Sequence, residues 1–152
     1  MAEPAPLSER EWAFWSAWMQ AQRVLTRELD RALQRDFGIS KAEFSVLFTL
    51  HGAAEGSMRV TALADSLDWD KSRVAHQLTR MERRGLLTRD EAGAAGRRTG
   101  ITLTATGRDV VERAVVGHGT AIRRLALDRL SPDQAAAIEA WSRRLVAEVG
   151  DT

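Results

Sequence analysis

The chain has no cysteine among its 152 residues and only two lysines, Lys41 and Lys71. Without thiols, cysteine-based redox sensing and cysteine-ligated metal sensing are excluded, and a reducing compartment is suited. Its three histidines, His51, His76 and His118, include no pair at i+3 or i+4, so no metal site is expected. Nothing approaches the about 18 apolar residues of a membrane span. The opening MAEPAPLSE lacks the basic and apolar regions of a secretory signal, so a cytoplasmic protein is expected. HExxH, a glycine-rich phosphate loop and the G-x-S-x-G turn are all missing; neither an enzyme nor a cofactor is expected. There is no internal repeat and no flexible linker. A content of 44% apolar and 28% charged residues fits one soluble globular domain.

What is present is a local concentration of positive charge. The total is +1, yet Asp70 to Arg98 holds eight basic against four acidic residues, net +4, leaving 14 against 17, net −3, elsewhere. Counterion release acts only where cations meet a duplex, so the local value is the informative one. Inside this stretch Val74, Leu78 and Met81 recur at i, i+4 and i+7 and form a buried stripe. Ser72, Arg73, His76, Gln77 and Arg80 are then expected on the opposite, solvated face. A plain surface helix favours Glu and Lys, whereas these side chains suit base edges and phosphates in a major groove.

Helix starts are marked by a hydroxyl with Glu or Gln three positions on: Ser8 with Glu11, Ser40 with Glu43, and Ser131 with Gln134. Leu7 with Trp12 and Ile39 with Phe44 add hydrophobic staples, and Pro132 sits at the first helical position. The first helix should run from about Ser8 to Phe37, about 45 Å. That exceeds the about 15 Å radius of gyration of a compact chain of this size, which predicts that a second subunit covers it. Ile138, Trp141, Leu145 and Val149 form an apolar stripe near the C-terminus, the expected other half of that seam. Between the ends, Ser40 to His51 should be a short helix and Arg59–Val60 a brief strand. Thr61 should cap a helix through Leu67, and Asp68 or Asp70 the next one, which ends at Gly85. Leu86 to Arg89 and Ile101 to Leu103 should pair around the loop Glu91 to Gly96. Thr104 should open a long helix kinked at Gly117 and Gly119. Tandem short helices followed by a hairpin form the layout of a winged helix-turn-helix.

These segments, RVTALADSL at 59–67, KSRVAHQLTRMERRGLL at 71–87 and LTATGR at 103–108, resemble in order and spacing the MarR family of bacterial transcription regulators over nearly the whole chain. The resemblance implies a mainly α (α+β) fold: a winged helix-turn-helix lobe at 40–103, with helices at 8–37 and 104–149 forming a dimerisation domain. It implies a homodimer on a palindromic double-stranded DNA operator, most simply a repressor. Lys71, Ser72, Arg73, His76 and Gln77 would enter the major groove together with Arg80, while Arg97 or Arg98 at the wing tip would reach the minor groove. Arg84 and Arg97 are expected to hold phosphate rather than bases. Many family members carry an acidic residue just before the wing arginine; here Ala95 and Gly96 stand instead. The family also implies release by a small aromatic or anionic effector, for which Trp15, Met19, Phe44, Phe48 and His51 are the candidate lining. Aromatics at helical spacing are equally core residues, and His51 is expected as a hydrogen-bonded buried histidine. The alternative functions are a winged-helix module that contacts protein without DNA, which a flat salt response would favour, and, less favoured, a small enzyme.

Overall fold

A computed structural model describes residues 6–91 and 98–150. Its elements are α1 (Glu9–Phe37), α2 (Lys41–Gly52), β1 (Ser57–Arg59), α3 (Val60–Leu67), α4 (Lys71–Arg83), β2 (Leu87–Glu91), β3 (Arg98–Leu103), α5 (Ala105–Leu125) and α6 (Pro132–Val149). The strands form one antiparallel sheet in the order β1-β3-β2. Met58 stands opposite Ile101 and Leu87 opposite Leu103, with an irregularity between Asp90 and Glu91. This is the winged helix-turn-helix order, mainly helical with a small sheet.

Local chemistry sets the helix boundaries. At Ser8 the amide and hydroxyl donate to Glu11 Oε2 at 2.7 and 2.6 Å, which holds the Glu11 carboxyl below its ordinary range. Capping boxes close at Ser40 with Glu43 and at Ser131 with Gln134. Asp70 caps α4, its Oδ1 accepting the Arg73 amide at 2.8 Å. Asp68 instead closes α3 in the left-handed region, at φ 51°. At the other end of α4, Gly85 has φ +71°, a conformation costly for residues with a Cβ, and lets the Leu86 amide reach back to Met81 O at 3.1 Å. Two expectations are corrected. Thr61 does not cap α3: β1 runs straight into the helix, Arg59 is the capping residue, and no side chain caps there. Val60 accordingly opens the helix rather than extending the strand. α5 runs through Gly117 and Gly119 as one helix, Ala105–Leu125. Gly117 serves close packing, since a Cβ there would lie 2.2 Å from Phe37 Cζ.

The chain forms two compact units, one of residues 28–118 and one of residues 1–27 with 119–152. The first holds the winged helix-turn-helix, the end of α1 and most of α5. Leu47, Leu63, Leu78, Met81, Ile101 and Val111 are fully buried in its core, each contributing about 1.5–3 kcal/mol of transfer free energy. In the second unit Trp18 meets Trp141 edge to face at 5.7 Å. Large apolar side chains nevertheless stay exposed there: Trp12, Phe14 and Trp15 on α1, and Trp141, Leu145 and Val149 on α6. No residue of the 18-residue α6 is buried.

Candidate nucleic-acid interface

α4 places its apolar stripe against the core and presents the start of the helix to solvent. Val74, Leu78 and Met81 are buried, while Lys71, Ser72, Arg73, His76 and Arg80 are exposed. Asp70, Ser72, Arg73, His76, Gln77 and Arg80 surround one shallow open depression. The single acid at its rim, Asp70, is engaged by the Arg73 amide. The surface is therefore rich in donors and carries net positive charge, with Lys71 and Arg73 in the first turn of the helix and Arg80 in its last.

Two members of the expected set behave differently. Gln77 is buried, only 7% exposed, rather than on the solvated face. It lies i+3 from Val74 and i+4 before Met81, so helical geometry assigns it to the apolar stripe. Its Oε1 accepts from Arg80 Nη2 at 2.9 Å, and its Nε2 is buried without a partner among the described residues. Arg84, expected at phosphate, has an intramolecular partner. It pairs with the buried carboxylate of Glu43 and donates through Nη2 to Gly38 O at 2.7 Å. Glu43 Oε2 accepts the Ser40 amide at 2.8 Å, so one carboxylate ties the start of α2 to the end of α4. Arg89 is similarly committed, to Glu82 at 2.8 Å. At the wing, Arg97 lies outside the described residues; Arg98 is described only as the first residue of β3, opposite Glu91.

Sequence inspection missed Trp69. The Arg73 guanidinium carbon lies 4.0 Å from the centroid of its ring. The spacing, i to i+4, was visible, but it crosses the Asp70 cap and so does not read as one helix face.

Of the candidate effector residues, Phe44, Phe48 and His51 belong to the winged unit, Trp15 and Met19 to the other. Phe44 stacks with Phe48 at 5.7 Å and meets His118 at 4.7 Å. Phe48 is exposed and His51 half-buried. The His51 expectation is corrected: its Nδ1 is buried but has no hydrogen-bond partner among the described residues. His118 Nδ1 is in the same position. Burial, then the nearby Lys41 charge, lower the His118 pKa from its ordinary 6.5. An imidazole of lowered pKa binds its proton better in the unfolded chain, so its contribution to stability is present above about pH 6.5 and lost as pH falls below it. Thermal unfolding from pH 7 to 5 is expected to show a steeper loss of midpoint for the wild type than for His118→Gln; parallel curves would show that the site carries no proton linkage. Among the described residues no group of His, Cys, Asp and Glu is placed to hold a metal ion, and no helix is long and apolar enough to cross a membrane.

The sequence profile of the MarR family matches residues 39–92, the lobe carrying this surface. Sco3205 of Streptomyces coelicolor, a MarR family transcriptional regulator solved in complex with DNA, is 32% identical, with a TM-score of 0.85 over 96% of this chain and 91% of that one. AbsC of the same organism, also a MarR family regulator, is 24% identical, with a TM-score of 0.86 over 98% and 100% of the two chains. A mutant MarR of E. coli complexed with operator DNA shares the fold at 20% identity and a TM-score of 0.76, over 93% and 99%. No curated protein matches the chain significantly.

Proposed function

The chain belongs to the MarR family, and from that premise we propose that it is a sequence-specific, homodimeric DNA-binding regulator that represses transcription until a small ligand releases it. The observation that carries the DNA-binding reading is the exposed start of α4, where Lys71, Ser72, Arg73 and His76 present donors that no protein group occupies among the described residues. The solution of Sco3205 with DNA on the same fold supports it. The exposed tryptophans of α1 and α6, with Leu145, support the dimer, because an 18-residue helix with no buried residue has no reason to hold its apolar stripe in water. Two copies related by a two-fold axis would set their α4 helices in major grooves about 34–36 Å apart, so the operator is expected to be an imperfect palindrome. Phe44, Phe48 and His51 of the winged unit are the proposed effector lining. A ligand there releases DNA only by favouring a lobe arrangement that mismatches the operator.

Direct base readout by Arg73 is testable. Arg73→Ala should cost about 1–3 kcal/mol on the preferred duplex and much less on a permuted one, with the loss concentrated at one base pair per half-site. Equal weakening on both duplexes, measured by anisotropy titration, would assign Arg73 to phosphate instead.

A further inference from the structure

Four arginines on and just after α4 are held in different ways. Arg80, Arg84 and Arg89 spend N–H donors on Gln77, Glu43 with Gly38, and Glu82. Arg73 is held through the face of its guanidinium, 4.0 Å from the Trp69 ring centroid. A face contact leaves the in-plane N–H fork available, and among the described residues none of those N–H groups bonds to protein. The platform is itself anchored: Trp69 is half-buried, packs against the core of the winged unit, and donates its amide to Ala64 O at 3.0 Å.

We propose that Trp69 is a positioning residue for base readout: its indole holds the Arg73 guanidinium ordered before binding, with the donor fork free for a base edge. This rests on the DNA-binding reading above. A free arginine gives up rotamer freedom on docking, whereas a stacked one has already given it up. Contact with phosphate tolerates many rotamers and gains little from that order. The effect of Trp69 should therefore fall on discrimination more than on general affinity.

The test uses the full chain, with a duplex that the wild type selects from a random pool and a permutation of that duplex. Trp69→Leu should weaken binding to the selected duplex two- to fivefold, about the size of a cation–π contact, and leave the permuted duplex nearly unchanged. The loss should vanish in an Arg73→Ala background, and Trp69→Phe should recover part of the affinity. A second measurement needs no variant of Trp69: the Arg73 Cδ protons of the wild type should show an upfield ring-current NMR shift. Arg73 resonances at unperturbed positions, or the same loss with and without Arg73, would overturn the positioning role while leaving wild-type discrimination intact. Failure of the wild type to discriminate at all would overturn the DNA-binding reading as well.

Discussion

Arg84→Ala is expected to destabilise the protein by about 2–3 kcal/mol, well beyond an ordinary surface ion pair. Glu43 is only 6% exposed, and without the guanidinium its Oε1 keeps a buried charge with no cation. Arg84 is itself about half exposed, 45% for the side chain, so water reaches its side of the pair and the loss stays below that of a fully enclosed one. For a chain of this length the thermal midpoint should fall by roughly 5–10 °C. The sharper arm is the double variant. Glu43→Gln removes the charge but keeps an amide oxygen able to accept the Ser40 amide, as Gln134 does for Ser131 at 2.9 Å in the same chain. Glu43→Gln with Arg84→Ala should therefore be more stable than Arg84→Ala alone. A single variant within a degree of wild type would mean that the contact is solvent-screened and that Arg84 is available for DNA.

Gly107→Ala should be more damaging still, about 3 kcal/mol or more, although alanine is the better helix former by about 1 kcal/mol. A Cβ at Gly107 would meet Leu86 O at 1.9 Å and Leu103 Cδ2 at 3.4 Å. The first of these is main chain and cannot rotate away. The same region docks the start of α5 on the wing: the Thr104 hydroxyl donates to Gly85 O at 2.6 Å and accepts the Gly107 amide at 3.0 Å. Gly119→Ala, in the same helix with nothing within 4 Å of the added carbon, should instead stabilise by about 0.5–1 kcal/mol. Denaturant melts of the two variants should move in opposite directions; movement in the same direction would show that the packing at Gly107 relaxes.

The parts legible in the sequence were those fixed within one or two turns of chain. The capping boxes at Ser40 and Ser131 and the Asp70 cap involve partners three residues apart, and the α4 stripe follows from 3.6-residue periodicity alone. The Gln77 placement failed because residue type was weighed above position: the spacing to Val74 and Met81 already placed it among apolar neighbours. Thr61 failed because the helix begins one residue earlier than expected: Arg59, the extended last residue of β1, takes the cap position, which puts Thr61 inside the first turn. The commitment of Arg84 was not legible at all, since Glu43 is 41 residues away and only folding brings them together. Of the expected groove contacts, Lys71, Ser72, Arg73, His76 and Arg80 stand exposed on one helix, while nothing in the sequence announced that Arg73 is stacked.

The most direct measurement is a titration of labelled selected and permuted duplexes with the full chain at about 50 and 200 mM salt. The account predicts preference for the selected duplex by at least about a thousandfold. It also predicts a steep fall in affinity for both as salt rises, the signature of released counterions. Equal affinity for the two duplexes together with a flat salt response would contradict it.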